Sequence, residues 1–331
     1  MNYSQKQLID LMNTGSVFGE KSLPKHIQTV ISNVFVFETK VYKFYRNDNN
    51  FFNENFRNLS NSEERFSFTQ KDYMWNSTLS PSIYIGLKNI ALRNDSIAEV
   101  PLSEAEEIVM VMNRVDTRDV LYEKLIACEV TEQDCFEIGK QFGESMKKVQ
   151  VKLQREYSFY DLFESRIKDQ RDWIRSVPEN IPLEESKEYL DYLENYRQVN
   201  KAWFDELSAE VTTDGDFHSH NALYSNKNFY LMDTYPPKEE WGVGHKLIPL
   251  YRLGTDIWAL TGKQELFESL VKGYENGNGI KVNRKFDELY IIYAAGIAMP
   301  YLYMLSRTDP EKKEAAKKFH EFTMNYFKKL K

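Results

Sequence analysis

The first third of the chain contains short runs of β-branched and aromatic residues separated by turn residues. Two such runs, Val30–Phe37 and Val41–Tyr45, flank Glu38-Thr39-Lys40 and predict a β-hairpin. Residues 60–79 have helical spacing and end at Ser80-Pro81, and further strands are predicted at residues 83–92 and 106–115. The predicted order is therefore strand, strand, helix, strand, strand.

After Asn113 the pattern becomes helical, with dense charge over residues 116–127, 131–154 and 157–207. The segment 212–233 interrupts these helices, and its sequences NALY and NFYLMD predict two short strands joined by the turn SNKN. Helices resume at Leu247. The pattern predicts an α+β fold with a β-rich lobe over residues 1–113, a hinge near Met112–Arg114, and a mainly helical lobe over residues 114–331.

Composition narrows the classes of function. The chain has 331 residues, 42% of them hydrophobic and 14% aromatic, which is enough to bury a substantial core. Its net charge of −7 gives no general basic surface, so no nucleic-acid partner is expected. Cys128 and Cys135 are expected to be structural thiols in a reducing cytoplasm. The apolar run Tyr290–Leu305 is short and rich in tyrosine, which favours a buried helix over a membrane span. No pattern indicates an oligomeric state.

The segment 212–233, TTDGDFHSHNALYSNKNFYLMD, carries the candidate chemistry. Phosphoryl transfer requires a carboxylate near the attacking hydroxyl and oxygen ligands for Mg²⁺ on the nucleotide phosphates. Asp216 is placed to act as the base, with Asn221 five residues later as one ligand. The predicted hairpin returns Asp233 towards this loop as a second ligand.

The stretch DGDFHSHN followed by FYLMD resembles the HGDxHxxN and apolar-Asp motifs of aminoglycoside phosphotransferase and choline kinase-like enzymes. Two more segments, HIQTVISNVFVFETKVYK and WNSTLSPSIYIG, resemble in order the N-terminal segments of a divergent bacterial branch of that family. The resemblance implies a protein-kinase-like bilobal fold, with ATP or GTP as phosphoryl donor, Mg²⁺ as cofactor, and a hydroxyl of a small molecule as acceptor.

The resemblance also implies residue roles. Asp216 would be the catalytic base, and Asn221 and Asp233 would bind Mg²⁺. Lys43 would reach the nucleotide phosphates and pair with Asp72. The backbone of Val111, Met112 and Asn113 would contact the adenine edge. Asp256 would brace the catalytic loop from a helix start, and Asp214 and His218 would support the same loop.

Four features depart from the family pattern, the fourth being that no clear glycine-rich phosphate loop precedes the hairpin. Asp214 replaces the first motif histidine, where it would raise the pKa of Asp216, bind metal or face water. Asp72 is shorter than the glutamate that usually pairs with the lysine in this family. Pro236 stands three residues after Asp233, where the family commonly has an acidic residue. Gly15 and Gly19 are the only candidates for a glycine-rich phosphate loop.

Three alternatives follow from the same residues. Asp and Asn also cap and turn a hairpin without any catalytic role. The departures from the family pattern are compatible with a catalytically inactive module that binds nucleotide or a protein. His218 and His220 form an H-x-H pair, which in a zinc hydrolase would bind the metal. The joint spacing of Lys43, Asp216, Asn221 and Asp233 favours the phosphotransferase.

Overall fold

A six-stranded antiparallel sheet forms the centre of the first of two units in the computed structural model, which describes residues 4–307 and 309–331. The first unit runs to Thr117 and also includes Leu231–Lys238, whereas the second consists of Arg118–Tyr230 and Glu239–Lys331. Residues 1–3 of the predicted first domain lie outside the described residues.

The sheet has the strand order β1-β2-β3-β6-β4-β5. The strands are β1 Lys25–Gln28, β2 Ser32–Val36, β3 Lys40–Tyr45, β4 Tyr84–Arg93, β5 Ser96–Glu99 and β6 Glu107–Asn113, and the helices of this unit are α1 Gln5–Asn13, α2 Asn50–Asn55 and α3 Ser62–Leu79. The predicted hairpin, helix and two later strands are confirmed. Four short elements, α1, β1, α2 and β5, were not predicted from the sequence.

Helix α3 begins and ends where its sequence dictates. The side chain of Asn61 accepts a hydrogen bond from the backbone N–H of Glu64, which satisfies one of the free amides of the first turn. The helix stops before Ser80-Pro81, because proline disfavours helical geometry in the residue before it. Its buried residues include Asp72 and Asn76, so this helix carries polar groups into the interior.

The second unit is mainly helical. Its helices are α4 Leu121–Ile126, α5 Glu132–Val149, α6 Phe159–Arg175, α7 Leu183–Val199, α8 Lys201–Leu207, α9 Ile248–Thr261, α10 Gln264–Asn278, α11 Asp287–Leu305 and α12 Lys312–Leu330. Strands β7 Val211–Thr213 and β10 Val243–His245 form one antiparallel pair, and β8 Ala222–Ser225 pairs with β9 Asn228–Leu231. Asn226 and Lys227 both have positive φ angles, 50° and 62°, as a two-residue hairpin turn requires.

Helices α5 and α10 pack with their backbones in contact. Gly139 and Gly143 lie on α5, and Gly273 and Gly277 lie on α10. A Cβ atom at Gly277 would lie 1.9 Å from the carbonyl oxygen of Lys140, and one at Gly139 would lie 2.1 Å from that of Leu270. Only glycine permits this approach.

Helix α5 also supports the β8–β9 hairpin. The side chain of Gln141 donates to the carbonyl oxygen of Lys227 (2.9 Å) and accepts from the backbone N–H of Phe229 (2.9 Å). The Phe142 ring contacts the rings of both Phe217 and Phe229. The position of α5 therefore sets the position of the hairpin and of the loop before it.

Helix α11 is the apolar helix expected near the C-terminus. Within the described residues, Arg284–Leu305 is the one helical segment long and apolar enough, by length and composition, to cross a membrane. Of its most apolar window, 67% is buried inside the protein, as in a core helix of a globular domain. The predicted buried helix over Tyr290–Leu305 is confirmed.

Candidate active site

Lys43 lies in the middle of the sheet, on β3 between β2 and β6. Its side chain is only 6% exposed and contacts two carboxylates. Nζ lies 2.5 Å from Oδ1 of Asp233 and 3.7 Å from Oδ2 of Asp72, on α3. The pair of Lys43 with Asp72 is therefore present, although aspartate is shorter than the glutamate of the family pattern.

Burial and charge act in opposite directions on this group. Burial alone would lower the pKa of Lys43, but the carboxylates of Asp233 and Asp72 raise it above its ordinary value, so the ammonium stays charged. Burial raises the pKa of Asp72 to about 6, against the opposing effect of Lys43. The Tyr45 hydroxyl donates to Oδ2 of Asp72 (2.5 Å), which supplies part of the solvation lost on burial.

Asp216 lies in the loop between β7 and β8, and its side chain is 38% exposed. Its Oδ1 accepts from Nη2 of Arg252 (2.5 Å), on α9, and its Oδ2 lies 3.3 Å from Nε2 of His218. Burial alone would raise the pKa of Asp216, but His218 and Arg252 hold it below its ordinary value. This carboxylate is therefore ionised at neutral pH.

The rest of the loop is fixed by polar contacts. The side-chain amide of Asn221 donates to the carbonyl oxygen of Asp216 (3.0 Å), and its backbone N–H donates to that of His218 (2.9 Å). Asp256 Oδ2 accepts from both the backbone N–H and the hydroxyl of Ser219, each at 2.8 Å. Asp256 lies in the third turn of α9 rather than at a helix start, so the expected placement at a helix start is wrong, although it contacts the loop.

Asp214 is buried, with 3% of its surface exposed, and one of its oxygens accepts from the backbone N–H of Gly215. Facing water is therefore not its role, and the pKa of Asp216 beside it is lowered rather than raised. A Cβ at Gly244 would lie 2.7 Å from Oδ2 of Asp214, so glycine at that position leaves room for the carboxylate.

The two rings of the H-x-H pair contact each other edge to face, with centroids 5.8 Å apart, and each histidine also has partners of its own. His220 stacks on Tyr122 with ring centroids 3.8 Å apart, and its Nε2 lies 3.1 Å from Nζ of Lys312. Burial, with the nearby charges of His218 and Lys312, lowers the pKa of His220 to about 2. Among residues 4–307 and 309–331, no group of three or more His, Cys, Asp or Glu side chains has the arrangement of a metal site.

Two nucleotide-binding predictions concern the backbone. Val111, Met112 and Asn113 pair with β3 on one side, and Val111 and Met112 pair with β4 on the other. The predicted adenine contact stays a prediction. Gly15 and Gly19 lie between α1 and β1, before the β2–β3 hairpin, and their role in a phosphate loop stays a prediction.

The predicted metal ligands suit a hard cation. Asn221 offers an amide oxygen and Asp233 a carboxylate whose side chain is 57% exposed. Such oxygen ligands, completed by water and phosphate oxygens, are the set that Mg²⁺ prefers. Their joint use and the approach of Asp233 to Asp216 stay predictions.

Arg252 was missed from the sequence. It lies one helical turn before Asp256, and residues four apart lie on the same helix face. Besides Asp216, it donates to the carbonyl oxygen of Gly215 (3.2 Å). The spacing R-x-x-x-D in a helix predicted to brace the loop was a signal that pointed to it.

No protein-family model matches the chain, and no curated protein matches it in sequence. Solved structures do match. An aminoglycoside phosphotransferase from Streptomyces rimosus is 12% identical, with a TM-score of 0.50 over 89% of this chain and 99% of the other. A glucosamine kinase in complex with glucosamine, ADP and inorganic phosphate is 10% identical, with a TM-score of 0.53 over 95% of this chain and 83% of the other.

A choline/ethanolamine kinase family protein from Mesorhizobium loti also matches, at 12% identity and a TM-score of 0.48 over 98% and 93% of the two chains. The fold assignment depends on the Streptomyces rimosus aminoglycoside phosphotransferase and the glucosamine kinase complex. The β-sheet unit and the mainly helical unit are both present in the order that the resemblance implied. The chain therefore has the α+β, protein-kinase-like bilobal fold of the aminoglycoside phosphotransferases.

Proposed function

We propose that this protein transfers the γ-phosphoryl group of ATP or GTP to a hydroxyl of a small molecule in the cytoplasm. The observation that carries the proposal is Lys43, a buried ammonium held between Asp72 and Asp233. Removing a charged ammonium from water costs free energy, so such a group is buried only when carboxylates pair with it. Here one of the two partners, Asp233, is exposed. Binding of a triphosphate would supply further negative charge to the same ammonium.

In this proposal the first unit binds the nucleotide. Lys43 neutralises charge on the phosphates, and Asp72 holds the ammonium in place while Asp233 also binds the cation. The base is proposed to lie at the Asn113 end of β6. Mg²⁺, held by Asp233 and Asn221, would offset negative charge on the phosphate oxygens.

Asp216 of the second unit is proposed to orient the acceptor hydroxyl and take its proton. Phosphoryl transfer has a loose transition state, so the base acts mainly by position and needs no high pKa. The contacts with Arg252 and His218 keep the carboxylate ionised and fix its direction. His218 thus has a support role, as do Asp256 through Ser219 and Asp214 through Gly215.

The test is single-turnover transfer of labelled γ-phosphate to a library of hydroxyl compounds, including amino sugars and amino alcohols. Asp216→Asn is expected to reduce the transfer rate by about 10²-fold or more, within the range of general base catalysis. Asp205→Asn is the matched control, because Asp205 lies in an exposed ion pair with Lys201. Unchanged turnover in the Asp216 variant overturns the assigned mechanism.

A second candidate is an inactive module that binds nucleotide. The 2.5 Å contact between Arg252 and Asp216 favours it, because a guanidinium occupies one oxygen of the base. Calorimetry with ATP and Mg²⁺ separates the two functions. Binding without transfer or hydrolysis favours the inactive module, whereas transfer excludes it.

A further inference from the structure

The segment that carries Asp233 adopts an unusual backbone conformation. Asp233 has φ of +56°, in the left-handed region, which costs a residue other than glycine of the order of 1 kcal/mol. Such a conformation persists only where surrounding contacts hold it. The contacts here come from α3, from Ser80 just after it and from β4, the strand that follows.

Three backbone amides of the segment donate to side chains rather than to a sheet. The N–H of Leu231 donates to Oγ of Ser80 (3.0 Å), and that of Asp233 donates to the hydroxyl oxygen of Tyr84 (2.8 Å). The N–H of Thr234 donates to Oδ1 of Asn76 (3.0 Å). These amides lie on both sides of the left-handed residue, so the contacts hold the backbone from which its carboxylate extends towards Lys43.

Asn76 joins this segment to the Lys43–Asp72 pair. It is fully buried, and its Oδ1 also accepts from the hydroxyl of Thr234 (3.0 Å), which in turn accepts from Nε1 of Trp75 (3.0 Å). Its Nδ2 donates to Oδ1 of Asp72 (2.6 Å) and to the Asp72 carbonyl oxygen. Both ends of one amide are thus used, which fixes its orientation.

We propose that Asn76 is a positioning residue that fixes Asp233 for metal binding and couples it to the Lys43–Asp72 pair. This inference rests on the proposed function, in which Asp233 binds the metal. An amide is suited to the position because it offers an acceptor to Thr234 and a donor to Asp72. A carboxylate or an apolar side chain of similar size satisfies one of these partners or neither.

The test uses a reciprocal exchange within the full chain. Asn76→Asp places a carboxylate against Asp72, where the two facing atoms lie 2.6 Å apart, and repulsion is expected to release Thr234. Asp72→Asn keeps an acceptor for the Asn76 amide, so the segment is expected to stay fixed. The double variant Asn76→Asp/Asp72→Asn again pairs one carboxylate with one amide, now at exchanged positions.

Thr234→Val is a second variant should Asn76→Asp fail to fold, because it removes only the hydroxyl shared by Asn76 and Trp75. Thr234→Ser, which keeps the hydroxyl, is its conservative control. Hydrogen exchange of the amides of residues 231–234 reports the position of the segment without any ligand. Titration with Mn²⁺ and ATP then measures whether that position matters for metal binding.

We expect Asn76→Asp and Thr234→Val to increase exchange at residues 233 and 234 about tenfold, the effect of one lost buried hydrogen bond. The same variants are expected to weaken Mn²⁺ binding about tenfold, with a smaller change in ATP affinity. The double variant and Thr234→Ser should recover both properties.

The inference is overturned if the amides of residues 231–234 exchange in the variants at the wild-type rate. It is also overturned if they exchange faster but the Mn²⁺ affinity is unchanged. A double variant no better than Asn76→Asp overturns the coupling to Asp72. If the wild-type protein binds no Mn²⁺ with ATP, the proposed function fails, and the metal-positioning role of Asn76 fails with it.

Discussion

Replacing Gly277 with alanine tests whether α5 and α10 depend on direct backbone contact. The added Cβ would lie 1.9 Å from the carbonyl oxygen of Lys140, whereas ordinary contacts begin at 3.4 Å. The helices must therefore separate by about 1.5 Å, the difference between those values, because a backbone carbonyl cannot rotate away. An overpacked core costs about 3 kcal/mol, and alanine returns about 1 kcal/mol of helix propensity. The expected net loss is about 2 kcal/mol of unfolding free energy.

The assay is urea unfolding followed by far-UV circular dichroism, with Gly86→Ala as matched control. Gly86 has open space around its Cβ position and no positive φ, so its substitution is expected to change stability by less than about 0.5 kcal/mol. A Gly277→Ala protein as stable as the Gly86→Ala protein would refute the argument. Because α5 holds the β8–β9 hairpin through Gln141, faster hydrogen exchange at Phe229 is expected in the same variant.

Three further predictions concern the buried charges. Arg65→Met removes the buried partner of Glu107, whose side chain is 0% exposed, and should lower the free energy of unfolding in urea by about 3–5 kcal/mol. The double variant Arg65→Met/Glu107→Leu should recover most of this loss, and equal stability of the single and double variants would contradict the prediction. The pKa of Asp72 is raised from 3.8 to about 6, so the folded state binds its proton more tightly. Relative to Asp72→Asn, wild-type stability should therefore be greatest below pH 4 and fall by up to about 3 kcal/mol as pH rises through 6; a parallel pH dependence of the two proteins would refute the shift. Arg252→Gln should raise the pKa of Asp216 and move the acidic limb of kcat/KM to higher pH, since less carboxylate is ionised at low pH; an unmoved limb would show that Arg252 does not set this ionisation.

The sequence predicted the elements whose pattern is local. The hairpin of β2 and β3, the helix α3 and the strands β4 and β6 have strong propensity and clear turn residues, so their bounds differ from the expectation by only a few residues. Elements of four residues, such as β1 and β5, were missed because so short a run has no periodicity to detect. Their strand conformation comes from pairing with neighbours.

In the site, too, residues with a local sequence motif were predicted, whereas residues whose role depends on long-range contacts were missed. Lys43 and Asp72 were found through motif order, and their contact is present at 3.7 Å. Arg252 was missed because its partner lies 36 residues earlier and the contact depends on how α9 packs. The polar contact between Asn76 and Thr234 spans 158 residues, so no local pattern could indicate it.

The central claim is that Lys43, Asp233 and Asp216 act on one nucleotide, and a crystal structure with a non-hydrolysable ATP analogue and Mg²⁺ tests it most directly. The account predicts that Lys43 contacts the phosphates, that Asp233 and Asn221 bind the cation, and that an acceptor hydroxyl beside Asp216 has room about 3–3.5 Å from the γ-phosphorus. A nucleotide bound elsewhere would contradict the account. So would a γ-phosphate too far from the Asp216 carboxylate for one acceptor hydroxyl to contact both.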